Sequence, residues 1–235
     1  GVEAVYYCSP LPAGYDEPFA VEFARARNAI NGARSAGIEH FVLLSAMGPE
    51  TAPGVELIET KRAIEVELAG SGLAYTILRP NMFMDNVAMA GPEALLGVGL
   101  AWPFSESALI QPIAARDIAQ IAFKSMTSGP RNRSFDLVGP EALTFPQIAR
   151  ELGQAMGSEV RFTAIPDEVF VENVGPAIGS TEVAAAVAAA YRLWERDGNG
   201  TGDASILATE FDISLTRFQD FATNLAETWK REALI

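Results

Sequence analysis

The chain has 235 residues, 49% of them hydrophobic and 20% charged, which is enough to bury one sizeable core with room for a small second lobe. A formal net charge of -13 argues against a general nucleic-acid or anionic-membrane partner, because both carry negative charge. The single cysteine, Cys8, excludes an intrachain disulfide and a cysteine zinc cluster, and no apolar run approaches the roughly 18 residues of a membrane span, so a reducing cytoplasm is the expected compartment.

In chain order, Val2–Cys8 reads as a buried strand, and Ser9-Pro10-Leu11-Pro12-Ala13-Gly14 as the loop that leaves it. A helix is expected over Glu17–Ala36, where Phe19, Val21, Phe23, Ala26 and Ile30 give an apolar side and Gly37 a cap. His40–Leu44 is the next strand and ends at Ser45; Gly48–Val55 is a loop. The helix that starts at Glu59 carries Ala63, Ile64 and Leu68 on one face, with Lys61, Arg62, Glu65 and Glu67 on the opposite, polar face. Gly70-Ser71-Gly72 stops it, since glycine reaches the left-handed conformation that helix ends often need. Leu73–Leu78 is short, apolar and partly β-branched, as a strand covered on both faces would be, and Arg79-Pro80 ends it. This β-α-β-α-β order with short connections predicts parallel strands joined by right-handed crossovers, a doubly wound sheet.

After Asn86 the rhythm changes. Val87–Gly99 is mildly apolar, Leu109–Ile113 is a short extended piece, and Ala115–Met126 is a helix. Ser134–Val138 reads as a strand returning to the sheet. Thr144–Met156 is a helix with Thr144 as its N-cap, Val160–Ile165 a strand, and Asp167–Val174, Thr181–Glu195 and Leu215–Arg231 helices. The expected division is therefore a sheet domain over 1–86, with 134–138 returning to it, and a lobe over 87–235.

In open α/β sheets ligands sit beyond the carboxyl ends of the strands. Three such ends should line up here: Ser9-Pro10, Ser45-Ala46-Met47, and Arg79 followed by Pro80, Asn81, Met82 and Phe83. Each alone is ordinary loop chemistry; three in register make a binding edge for a flat polar ligand. Lys61, early in its helix, could reach that edge or simply face solvent. Arg79 at the end of a buried strand needs a carboxylate partner. His40, the only histidine, falls at the far end of the sheet, which removes any Ser-His-Asp reading. Asp197–Asp203 resembles the front of a calcium loop, but its twelfth position is Ala208, where a bidentate Glu is required, so it reads as a glycine turn and no metal is expected. Glu17/Glu22 and Glu65/Glu67 read as solvated helix faces.

Five segments carry a family resemblance: GVEAVYYCSP, AGIEHFVLLSAMG, KRAIEVELAGSGLAYTILRPNMFMDN, QPIAARDIAQIA and FDLVGPEALTFPQIARELGQAMG. In this order they resemble the NmrA-like atypical short-chain dehydrogenase/reductases, in their quinone-oxidoreductase and azoreductase-like branch. The resemblance implies a partial Rossmann-like parallel sheet with a small α+β C-terminal lobe, NAD(P) as cofactor, and a small acceptor such as a quinone. It implies that Ser9, Pro10, Ser45, Ala46, Lys61, Pro80, Asn81, Met82 and Phe83 line the ribose–nicotinamide side. Lys61 matches the lysine of the family's Y-x-x-x-K pair, while the tyrosine position falls on Leu57, which cannot donate a proton. Members of the family open with a strand and a glycine-rich turn for the pyrophosphate. That unit has no counterpart here, so the chain is expected to be N-terminally truncated, with an upstream segment or a second copy covering the edge of the 2–8 strand. A cofactor-sensing regulator that binds a protein partner, and a cofactor-free derivative of the fold, remain open alternatives.

Overall fold

The computed structural model describes residues 1–9, 14–196, 198 and 200–232. Its strands are β1 (Ala4–Tyr7), β2 (His40–Leu44), β3 (Tyr75–Pro80), β4 (Leu100–Trp102), β5 (Leu109–Ile110), β6 (Ser134–Leu137), β7 (Leu143–Thr144) and β8 (Phe162–Ala164). The first three alternate with α1 (Pro18–Ser35) and α2 (Glu56–Gly70). Beyond a 3-10 turn at Met84–Ala90 come α3 (Gly91–Gly97), α4 (Ala115–Ser128), α5 (Phe145–Met156), α6 (Asp167–Ile178), α7 (Thr181–Arg196), α8 (Ser205–Phe211) and α9 (Phe218–Arg231).

The central sheet is parallel throughout, in the order β1-β2-β3-β6. One face is covered by α1 and α2, where Ala26, Ile30, Ile64 and Leu68 pack on Phe41, Leu43 and Ile77. On the other, Ile118 and Ile121 of α4 and Phe211 of α8 pack on Val42, Leu78 and Phe135. Neighbouring residues of one strand thus point to opposite helical layers, the arrangement that lets a parallel sheet read as a continuous apolar run. The chain is α/β and doubly wound, as expected.

Beyond the sheet, β4 pairs with β8 and β5 with β7. A second core gathers there around Phe104, Phe145, Phe170 and Tyr191, with Trp102 packed against them. Thr144 caps α5 through a full capping box with Gln147. α7 docks across the start of α1 and α2, with Val183, Ala190 and Leu193 against Phe19, Leu57 and Ile58. No described helix is long and apolar enough to cross a membrane.

Several expectations need correction. β1 is half-buried rather than buried, because it is the sheet's edge strand and has β2 on one side only among the described residues. β3 runs two residues later than expected and includes Arg79 and Pro80, which pair with Asp136 and Leu137. Pro80 lacks an N–H, but its carbonyl still accepts from the Met47 N–H, so the strand end tolerates it. β4 and α8, three and seven residues long, are additional to the expected elements. The largest correction concerns charge. Lys61, Arg62 and Glu65 of α2 and Glu22 of α1 are all buried, because each meets an opposite charge inside the structure. Glu67, by contrast, is only half-buried.

Candidate functional site

The parallel register carries Cys8-Ser9, Ser45-Ala46 and Asn81-Met82-Phe83 past the carboxyl ends of β1, β2 and β3 side by side. With α7 across them they enclose a crevice of about 310 Å³. Ser9, Ser45, Ala46, Lys61, Pro80, Asn81, Met82 and Phe83 all line it, as does Leu57, one helical turn before Lys61. Pro10 lies outside the described residues. Larger hollows of about 520 and 810 Å³ lie beside the end of α7 and along α5. Arg192 in the first pairs with Glu195 of its lining and with Asp167 outside it, Arg161 in the second pairs with Glu159, and neither hollow lies at the strand ends.

The polar groups of the sheet-side wall are held from behind. Ser45 Oγ donates to Glu65 Oε1 at 2.5 Å. The same carboxylate receives Arg62 Nη1 at 2.6 Å and Arg79 Nη2 at 2.5 Å. Arg62 also donates to the carbonyls of Ala46, Gly48 and Pro49, strapping down the loop after β2. Burial pulls the Arg62 guanidinium below its ordinary range. At Arg79 the same desolvation is outweighed by hydrogen bonds to Glu65 and Glu50, which hold it above that range. The carboxylate partner that Arg79 required is therefore supplied by Glu65, buried, and Glu50, exposed.

Asn81 is also occupied: its Nδ2 donates to the Gly200 carbonyl at 2.7 Å and its Oδ1 accepts from the Met82 N–H at 2.5 Å. Gln111 ties the same region together, donating to the Gly139 carbonyl and accepting from the Gly202 N–H. Gly139 must be glycine, because a Cβ there would stand 2.0 Å from the Pro112 carbonyl oxygen. The segment containing Gly200 and Gly202 is thus packed on the strand ends as well as leading from α7 to α8. Lys61 Nζ donates to Glu22 Oε1 of α1, a side chain with no exposed surface. His40 lies at the opposite end of β2, its Nε2 2.9 Å from Thr76 Oγ1, remote from the crevice as expected.

The opposite wall was not read from the sequence. Val187, Ala190, Tyr191 and Trp194 of α7 face the crevice, with Asn86 beside them. Trp194 Nε1 donates to the Met47 carbonyl at 3.1 Å and so joins the two walls. Tyr191 is buried among Trp102, Phe104, Phe170 and Trp194, and desolvation pushes its phenol up to about 12. It is therefore a neutral hydroxyl at any physiological pH. The i, i+3, i+4, i+7 spacing of these residues was a visible sign of an apolar stripe; what it faces was not visible. Chemically the site is a narrow apolar slot with one lysine and firmly positioned walls, suited to a flat ring.

Comparisons with known proteins bear on the family and the fold. The NAD(P)H azoreductase of Xenophilus azovorans is 30% identical over 166 residues, covering 70% of this chain and 55% of that protein. Quinone oxidoreductase 2 of Escherichia coli is 27% identical over 173 residues, covering 72% and 57%. The chain therefore spans about half the length of these curated relatives. Among solved structures, the Escherichia coli NADPH-dependent quinone oxidoreductase complexed with NADPH superposes with a TM-score of 0.79 at 23% identity, over 96% of this chain and 77% of that one. A negative transcriptional regulator in complex with NAD superposes with a TM-score of 0.65 at 15% identity, over 94% and 73%. At such identities the structural likeness establishes the fold. The description of the NmrA-like family matches residues 1–221, nearly the whole chain, and the protein belongs to that family.

Proposed function

We propose that the crevice receives the ribose–nicotinamide side of NAD(P), and that the protein is an NAD(P)H-dependent oxidoreductase acting on a quinone or similar small acceptor. The observation that carries this reading is the convergence of Ser9, Ser45, Ala46, Lys61 and Pro80–Phe83 on one slot beyond the strand ends. The names of the azoreductase and quinone oxidoreductase relatives support it. In this reading the sheet half, 1–86 with 134–138, holds the cofactor, 87–235 forms the acceptor side, and the cytoplasm supplies the reducing setting. Any cover over the β1 edge comes from an upstream segment or a second copy.

The slot fits the cofactor's ring half: it is apolar, narrow and backed by aromatic side chains. NAD(P)H, when bound, supplies a hydride. The chain's own residues do the rest. Lys61, with one ammonium N–H given to Glu22, offers the others for ribose hydroxyls; the Pro80–Phe83 loop shapes the ring pocket; Val187, Tyr191 and Trp194 exclude water. Leu57 cannot protonate the acceptor, so quinones, whose protons can come from water, suit the site better than carbonyls that need a phenol.

Leu57 also favours a second reading, a cofactor-binding regulator without turnover. Titration of the full-length protein with NADPH, followed by a panel of quinones, separates the two. Acceptor-dependent NADPH oxidation supports the enzyme; saturable binding without oxidation by any acceptor supports the regulator; no binding of NADPH or NADH overturns both.

A further inference from the structure

Lysine is a flexible, strongly hydrated point charge, and one facing an apolar slot would ordinarily swing its ammonium towards water. Here Lys61 is the only charged side chain in the crevice lining among the described residues, and it is itself buried. In the family pattern a tyrosine one turn earlier would share its surroundings; at that place Leu57 offers no hydrogen bond. The partner comes instead from another helix. Glu22 projects from near the start of α1, has no exposed surface, gives one carboxylate oxygen to Lys61 Nζ, and keeps the other buried without a hydrogen-bond partner. Burying a carboxylate this completely is costly unless it is paired, so the pair stands or falls together.

The charges behind the rest of the wall also cancel. Arg62 and Arg79 are balanced by Glu65 and Glu50, with Asp136 also near them, and the chain as a whole carries -13. Among the described residues the sole cation in the lining that could draw an anion into the slot is Lys61, and Glu22 neutralises it. The other titratable groups facing the slot among the described residues are Cys8, just past β1, and Tyr191 of α7, and the latter stays a neutral phenol.

We propose that Glu22 sets the charge selectivity of the crevice: by cancelling Lys61 it makes the slot a site for uncharged aromatic acceptors and turns anionic ones away. The proposal rests on the reading above, in which the crevice holds the nicotinamide ring with the acceptor against it on the α7 side, and it names a specificity residue on α1, outside the lining itself. It makes Glu22 a positioning residue, acting through Lys61, rather than a group that touches the acceptor.

The test uses two fluorescent probes of one shape, 2-naphthol and 2-naphthalenesulfonate, titrated into the protein without cofactor and followed by fluorescence polarisation. The wild type should prefer the neutral probe. Glu22→Gln uncovers a cation in a low-dielectric slot, which should raise sulfonate affinity relative to naphthol by at least about tenfold. Adding Lys61→Met should cancel the gain. An unchanged affinity ratio in a folded Glu22→Gln protein, or a gain that survives the second substitution, would overturn the proposal. If Glu22→Gln fails to fold by circular dichroism, Glu22→Asp asks the same question more gently: a carboxylate drawn back by one methylene neutralises Lys61 less completely, so the sulfonate-to-naphthol ratio should still rise, and no rise in a folded Glu22→Asp protein equally refutes the idea. Neither probe depends on turnover, so a protein that never oxidises NADPH would sink the oxidoreductase reading while leaving this result to stand on its own.

Discussion

The two walls of the crevice are held in place by different physics. The sheet-side wall is directional: Ser45, Glu65, Arg62 and Arg79 form a buried network in which each distance matters. The α7 wall is chiefly non-directional: Val187 and Ala190 are placed by packing, and the Trp194 hydrogen bond to the Met47 carbonyl ties it to the other wall. A wall fixed by charges should break abruptly when one member is removed, and a wall fixed by packing should yield gradually. This contrast is open to experiment from its largest consequence downwards.

The severest break should come from Glu65→Ala. It strips a buried carboxylate from two guanidinium groups, one buried and one half-buried, leaving Arg62 with backbone carbonyls and Arg79 with the exposed Glu50. Removing one partner of such a network costs about 3–5 kcal/mol, because a charge stays behind without its counterion. Urea unfolding of Glu65→Ala against wild type measures this directly. A loss under about 1 kcal/mol would mean that water reaches the guanidinium groups and that the wall is not set electrostatically.

Next in size is the tie between the walls. Trp194→Phe keeps the apolar surface but removes the indole N–H, leaving the Met47 carbonyl without its partner at a buried site. A cost of about 1–3 kcal/mol is expected, seen as a lower urea midpoint at unchanged slope, together with weaker binding of 2-naphthol as α7 loosens. Intact probe binding despite lost stability would show that α7 is seated by its packing on Phe19 and Ile58 alone.

Leu57→Tyr asks whether the missing phenol can simply be put back. Leu57 packs with Phe19, Val183 and Ala190 at the junction of α1, α2 and α7, so a larger ring there overpacks the junction at about 1–3 kcal/mol. No gain in NADPH oxidation is expected, because Lys61 is already committed to Glu22. A tenfold or greater gain in rate (about 1.4 kcal/mol) without loss of stability would instead mark Leu57 as a lost catalytic position whose surroundings still fit tyrosine.

The same contrast explains what the sequence disclosed. Strand ends announce themselves through short apolar runs followed by serine, proline or asparagine, and from them the sheet, its parallel order and the lining from Ser9 to Phe83 were legible. The burial of Glu22, Lys61, Arg62 and Glu65 was not. Helical periodicity assigns charged residues to the solvent side, and only the tertiary arrangement brings Glu22 of α1 to Lys61 of α2, 39 positions apart. α7 was legible as a helix with an apolar stripe, but packing partners leave no local mark, so its role as a wall was hidden. β4 is three residues long and pairs only with β8, some 60 residues away, too short for periodicity to register.

The smallest effect lies outside both walls and serves to isolate them. His40, at the amino end of β2, is buried, and desolvation, with help from nearby Arg131, lowers its pKa below the ordinary 6.5. Its Nε2 meets Thr76 Oγ1 and its Nδ1 has no partner. With the folded pKa below the unfolded one, the unfolded chain binds the extra proton more readily. The contribution of this group is therefore complete above about 6.5 and is lost as pH falls from there through the folded value. In His40→Gln, urea-derived stability should vary less between pH 7 and pH 5 than in wild type, while naphthol binding at pH 7 is unchanged. The remaining acid sensitivity then belongs to the paired carboxylates. Glu50, held below its ordinary range by the Arg79 hydrogen bond, loses its contribution only at lower pH, and being largely exposed it contributes little. If His40→Gln instead altered probe binding, the two ends of the sheet would be coupled, and the walls could no longer be treated as the self-contained unit that the comparison assumes.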